Sequence, residues 1–373
     1  MLEDKRIRTL ARNLVNYSCR VGKGENVLIE ATGADLVIVN ALVEEIYKDG
    51  ANPIVRLYDN RIKRAIMKGM TEDTIRLMRS IDEPMMAKMD AYIGIRGGNN
   101  AYELSDVPSE NMQLYDKEYF HPVHHEIRVG KTKWVVLRYP TEGMSELSAM
   151  STDAFEDFYF DVCNLDYQKM ADAMTPLVDL MNRTDKVRLV AEDTDLTFSI
   201  RDIPAVKCCG LRNIPDGEVY TAPVKDSVNG VIHYNTPTVM NGVKFENLRL
   251  TFKDGKIIDI DAGNKTREAT AIFDTDDGSR YVGEFAIGVN PYVENPMCDI
   301  LFDEKIKGSI HFTPGACYKE AWNGNISAVH WDLVLIQRPE YGGGEIYFDD
   351  VLIRKDGRFV LPELQCLNPE NLM

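Results

Sequence analysis

Hydrophobic positions recur along this chain with two different periods. Residues 5–19 carry Ile7, Leu10, Leu14 and Tyr17 at helical spacing, so the start MLEDKRIRTLARNLV reads as an amphipathic helix. The turn VGKGEN follows, then the strand ENVLIEA. Residues 34–48 predict a helix that stops at Asp49-Gly50, and NPIVRLY predicts the next strand. Helices near 61–68 and 72–80 precede strands near 91–97 and 133–140. Helices alternating with short apolar strands imply a largely parallel sheet under helical cover. GGNN at 97–100 could end a strand above a cleft, and no dinucleotide-binding glycine fingerprint occurs.

Ser151-Thr152-Asp153 is a helix-cap signal for residues 151–162, and a longer helix is expected at 166–182. Met170, Met174, Leu177 and Leu180 would line its buried face. After about residue 184 the period shortens. KVRLVAE, DLTFSI, GVIHYN, NLRLTF, KIIDIDA, DILFD, GSIHFTP, AVHWDLVLI, GEIYFDD and RFVLPEL read as strands separated by Gly, Asn and Asp. The expected fold class is therefore α/β: an N-terminal α/β domain, residues 1–183, and a β-rich α+β domain, residues 184–373.

Charge narrows the function. A net charge of -16 argues against nucleic acid and anionic membrane partners and favours cations in an acidic cleft. No apolar run reaches the roughly 18 residues of a membrane span. The start lacks a signal peptide's apolar core, and seven irregularly spaced cysteines read as reduced thiols. A cytoplasmic protein is the expectation.

Five metal-ligand residue types fall in the second half: Glu218, Glu284, His311, His330 and Asp332. His330 and Asp332 are two apart, so a strand would face both to one side and bury Trp331 on the other. Glu218 follows the turn Pro215-Asp216-Gly217. Glu284 borders an apolar segment, where a carboxylate must be solvated, paired or metal-bound. Taken singly, each has a plainer reading: a surface ion pair for His330 and Asp332, a surface Glu218, a His311 satisfied by a backbone carbonyl. Jointly they can hold one or two divalent cations, and two fit the ligand count better. Tyr318, seven residues after His311, could stabilise charge beside the metals. The cluster His121, His124 and His125 could offer a surface metal contact.

These motifs resemble the M29 metallo-aminopeptidase family, the thermophilic or AmpS/aminopeptidase T type. The resemblance runs nearly the full length: VGKGENVLIE, RYPTEGMSELSAMSTDAFEDFYF, NIPDGEVYTAPVKDSVNGV, YVGEFAIGVN, GSIHFTPGACY, GNISAVHWDLVLI and IRKDGRFV. The segment between His311 and His330 is compressed relative to that pattern.

The resemblance implies a two-metal set at Glu218, Glu284, His311, His330 and Asp332, with Glu218 the expected bridge. Glu284 or another carboxylate beside the ligands would accept the proton, and Tyr318 would steady the oxyanion. It further implies zinc or cobalt (manganese or magnesium being the other choices), short peptides with a free N-terminus as substrates, and a homodimer. Phe312, Tyr318 and Trp322 are candidate walls for the first substrate side chain. A related branch resembles 2,5-dihydroxypyridine dioxygenases, which would use His311, His330 and Asp332 around one Fe(II). A non-enzymatic protein fastened by metal is the remaining alternative.

Overall fold

The computed structural model describes residues 4–100 and 102–373. Residues 1–3 of the expected first helix lie outside the described residues. The chain forms two compact units, Met1–Asn164 with Gly210–Ile214, and Leu165–Cys209 with Pro215–Met373. The helix Tyr167–Met181, which the sequence reading grouped with the first domain, belongs to the second unit.

The first unit is built on a five-stranded sheet in the order Asn52–Tyr58, Asn26–Thr32, Ala91–Arg96, Lys133–Arg138, Asn213–Ile214. Every pairing in it is parallel. The central strands are apolar on both faces because helices cover both; all of Ala91–Ile95 is buried. Most of its α-helices start where a short polar side chain satisfies a free backbone N–H. Asp35 accepts from Val37, and Asp59 accepts from Arg61 and Ile62. Ser151 caps Thr152–Cys163 as its residue type predicted. The helical segments Ser109–Tyr115 and Asp116–Val129 were not expected. Pro122 and a dense run of charges hide their apolar stripe, and the second is wound as a π-helix.

The second unit is antiparallel. An eight-stranded sheet runs in the order Lys256–Asp261, Arg249–Lys253, Asn229–His233, Thr194–Ser199, Lys186–Ala191, Gly344–Phe348, Val351–Lys355, Arg358–Phe359. A five-stranded sheet runs Val334–Ile336, Ser309–Pro314, Val282–Gly288, Glu218–Thr221, Val206–Cys208. Aromatic rings join the two: Phe198 lies 5.0 Å from both Phe285 and Phe312 between ring centroids. That fixes which face of the five-stranded sheet is core and leaves the other face for polar groups.

Three expected strands differ. DILFD contains the short helix Ile300–Asp303, capped by Asp299, which accepts from Leu301 at 3.2 Å. In AVHWDLVLI only Val334–Ile336 joins the sheet, and His330 makes an isolated bridge to Gly315. In RFVLPEL the strand is limited to Arg358–Phe359, because Pro362 opens a 3₁₀ turn.

Candidate metal centre

The five-stranded sheet aligns its polar residues by register. Gly288 pairs with Glu218, Ala286 with both Tyr220 and His311, and Glu284 with Thr313. With a side-chain period of two, Glu218, Tyr220, Glu284, His311 and Thr313 share one face. Phe285 and Phe312 take the opposite, aromatic face. A register shift at Gly283 bulges the strand beside Glu284 and re-aims its carboxylate.

Two glycines permit the close packing. Gly217 has φ 138°, and a Cβ there would lie 2.9 Å from Asn290 Cβ. Gly315 has φ 113°, and a Cβ there would lie 2.0 Å from the Val329 carbonyl oxygen, where the His330 segment passes.

His330 and Asp332 arrive on an extended but irregular segment. Trp331, between them, is buried against Phe245 and Phe273 with centroids 5.0 and 5.3 Å away. The aromatic anchor thus does what a strand would have done.

The resulting cluster is buried and dense. His311 Nε2 lies 3.5 Å from Glu218 Oε2 and 3.5 Å from Glu284 Oε1. His330 Nε2 lies 3.2 Å from Glu284 Oε2 and 3.2 Å from Asp332 Oδ1. Thr313 Oγ1 donates to Asp332 Oδ1 at 2.8 Å. Tyr318 places its ring 4.9 Å from the His330 ring and 5.6 Å from Tyr220. All five sequence-selected ligand types meet here. Potential ligand atoms of Glu218, Glu304 and His311 fall within 4.8 Å of one another, as do those of Glu284, His311 and Asp332.

These residues suit divalent cations. Glu218 Oε2 and His311 Nδ1 are buried without a hydrogen-bond partner among the described residues. His330 Nδ1 sits 2.8 Å from the Ala316 carbonyl oxygen. A carbonyl only accepts, so Nδ1 carries a proton, and on losing its second proton His330 would present the Nε2 lone pair inward, as a ligating histidine requires. The charge state of the metal-free cluster agrees. Burial alone would lower both imidazoles, yet Glu218 and Glu284 raise His311 to about 9. Asp332, then Glu284, raises His330 to about 12. Burial likewise opposes ionisation of Glu284, and hydrogen bonds from the two imidazoles overcome it. Protons on the imidazoles stand where cations would stand.

The profile of the thermophilic metalloprotease family (M29) matches residues 3–359. The chain belongs to the M29 family. Membership and the adjoining ligand clusters make it a metal-dependent peptidase. It is 27% identical over 354 residues to aminopeptidase AmpS of Bacillus subtilis, covering 84% of this chain and 85% of that one. The wild-type AmpT structure from Thermus thermophilus superposes with a TM-score of 0.80 at 20% identity, over 96% of this chain and 99% of that one. The 2,5-dihydroxypyridine dioxygenase structure from Pseudomonas putida gives a TM-score of 0.62 at 15% identity, over 98% of this chain and 100% of that one.

The structure adds residues to this M29 centre that the sequence did not single out. Lys305 is buried among Glu218, Asp216 and Glu304, with Nζ 2.8 Å from Glu218 Oε1 and 3.8 Å from Asp216 Oδ1. The only hint in sequence is a Glu-Lys pair set between Phe302 and Ile306. Cys208, paired in register with Glu218, comes near Asp216 and Glu218. Burial, then those carboxylates, hold its thiol protonated and so poorly suited to bind metal. Two other expectations change. Phe312 cannot wall a substrate pocket, because it is fully buried on the aromatic face against Phe198, Phe252 and Phe285. In the HPVHH cluster, His124 is buried beside Phe120, while His121 stacks on His125 with centroids 5.0 Å apart.

Proposed function

We propose that the protein is an aminopeptidase that removes the first residue of short peptides, using two divalent metal ions of the zinc or cobalt kind. The observation that carries this reading is the juxtaposition of Glu218, Glu284 and His311, on one face of the five-stranded sheet, with His330 and Asp332 from the irregular segment beside it. Bound there, two divalent ions would polarise the scissile carbonyl and supply water activated near neutral pH.

The chain's own groups define the rest. Glu284 is better placed than Glu218 to span two ions, since its two oxygens face different imidazoles. Glu218 instead gives Oε1 to Lys305 and keeps Oε2 for ligation. Thr313 holds one oxygen of Asp332, leaving the other available. With both oxygens committed to that span, Glu284 has none free to be the proton acceptor expected from the sequence. Tyr318, its ring tilted against His330, is the proposed hydrogen-bond donor to the developing oxyanion. Glu218→Gln with metal restored should lose most turnover of an aminoacyl-p-nitroanilide. Turnover like that of the parent enzyme would sink the assignment.

The one-iron dioxygenase reading uses only three of these five residues and leaves Glu218 and Glu284 buried without a role. Two zinc or cobalt ions per chain with peptide hydrolysis supports the present reading. One iron with oxygen uptake on a dihydroxypyridine would replace it.

We place the protein in a reducing, cytoplasmic compartment, which its seven free cysteines support. No described helix is long and apolar enough to cross a membrane. A homodimer is the proposed assembly. Its support is the edge strand Asn52–Tyr58, where Ile54, Val55, Leu57 and Tyr58 are 36% to 55% exposed. An apolar edge strand open on both faces invites pairing. Light scattering that finds only monomer at micromolar concentration would refute the dimer.

A further inference from the structure

The parallel sheet of the first unit winds in opposite directions from its middle. Strand Asn26–Thr32 leads outward to Asn52–Tyr58, whereas Ala91–Arg96 lies on its other side and leads to Lys133–Arg138. A crevice opens at such a reversal beyond the carboxyl ends of the strands, and ligands of open α/β sheets bind there. This chain has one, a cleft of about 490 Å³. Thr32 and Arg96 from the two diverging strands line it, with Gly97 and Gly98 of the GGNN segment. Such a volume is that of a small-molecule site.

The π-helix Asp116–Val129 supplies one wall, with Asp116, Phe120, His124 and Arg128 each four residues apart. Arg128 is the telling residue. It is only 6% exposed, and its Nε and Nη1 atoms meet no acceptor among the described residues. Trp134 and Tyr92 cover its guanidinium, with ring centroids 4.6 and 5.1 Å away. Side chains held that way bond at the guanidinium edge, in the plane that matches a carboxylate or phosphate. Lys63, Arg96 and Arg138 bring further positive charge to the cleft, against Glu30, Glu103 and Asp116. The excess is cationic in a chain whose net charge is -16.

We infer that this cleft is a second ligand site, which binds a small anion through the guanidinium of Arg128. The ligand carries a carboxylate or phosphate group on an apolar body that lies against Phe120 and Met112. Burial pulls the Arg128 guanidinium down from its usual range, a cost that an anion beside it offsets. Burial likewise pushes His124 down to about 3, so the imidazole stays neutral and leaves the charge to Arg128.

Calorimetric titration of the metal-loaded protein with phenyl phosphate, benzoate and benzyl alcohol tests this. Saturable binding of either anion, without binding of the alcohol, is expected; the tighter of the two identifies the group recognised. Arg128→Gln should weaken it at least tenfold while leaving aminoacyl-anilide hydrolysis unchanged. Should that variant fold poorly, Arg96→Gln at the exposed rim should weaken binding several-fold. No saturable anion binding by the parent protein overturns the inference. So does binding unchanged in a folded Arg128→Gln, or in Arg96→Gln if that is the variant measured, because the anion then lies elsewhere, the metal centre included.

Discussion

Lys305 Nζ lies 2.8 Å from Glu218 Oε1, and both side chains are buried. A buried ammonium therefore stands where metal charge would otherwise have to neutralise Glu218, Asp216 and Glu304 alone. Lys305→Met would leave three crowded carboxylates with less compensation. Loss of one partner from a buried pair costs roughly 3–5 kcal/mol. The metal-free variant should be less stable by that order, seen as a lower Tm, and added zinc should recover more stability in it than in the parent. Equal zinc stabilisation of both proteins would show that Lys305 and the ions do not share the carboxylate charge.

Metal binding should expel protons. His311 and His330 are held at about 9 and about 12 in the metal-free cluster, so both imidazoles carry protons at pH 7.5. Ligation needs them neutral. Zinc titrations in buffers of different ionisation enthalpy should report release of more than one proton per chain. Heats independent of the buffer would contradict the assigned charge state.

The same shifts set the pH dependence of the metal-free fold. A folded-state pKa above the unfolded value gives stability that is complete below about 6.5, the ordinary histidine value, and is lost as pH rises through the folded one. For His311 that window runs from about 6.5 to about 9. The carboxylate Glu284 is shifted down, so its contribution is lost only in acid. The Tm of metal-free protein should fall across pH 6.5–9. A flat or rising Tm there would show that the two imidazoles are not partnered by carboxylates.

Much of this was legible before any coordinates. The first unit's strands are short and mainly apolar, and most of its helices carry their caps in sequence, so local chemistry sufficed there. The five ligand types could be gathered because their motifs resemble the M29 pattern; the two-residue spacing of His330 and Asp332 suggested a strand, where the structure has an irregular segment anchored by Trp331. What escaped depends on tertiary context. DILFD has the composition of a strand, but Asp299 caps it into a helix and delivers Glu304 and Lys305 to the cluster. Phe312 neighbours a ligand in sequence yet points the other way, since adjacent residues of a strand face opposite sides. The cationic cleft draws Arg96, Lys63 and Arg128 from three separate elements, so no short motif announces it.

Phe312 and Tyr318 should separate stability from catalysis. Phe312→Ala removes a ring packed against Phe198 and Phe285 and should cost roughly 3–5 kcal/mol of stability. The substrate ranking should not change. Tyr318→Phe keeps the ring on His330 and deletes only the hydroxyl. If that hydroxyl steadies the oxyanion, kcat should drop by roughly 10²–10³ with KM little changed. An unchanged kcat would remove Tyr318 from the proposed chemistry.

The first-residue preference follows from the charge around the cluster. Glu218, Glu284, Asp332, Glu304 and Asp216 lie together, with Lys305 as the one buried ammonium among them. Bound cations offset part of that charge without reversing it throughout the surrounding wall. An acidic side chain on the first residue would therefore meet repulsion near its binding pocket. Tyr318 and Trp322, both partly exposed, offer apolar surface to a leucyl, methionyl or aromatic side chain instead. In a competition digest of X-Ala-Ala peptides, Leu, Met and aromatic first residues should be released well ahead of Asp and Glu. Trp322→Ala should raise KM for the leucyl peptide more than it lowers kcat, as expected for a wall that touches only the side chain. Preferential release of Asp or Glu would place a cation-rich pocket at the first residue and overturn the charge argument.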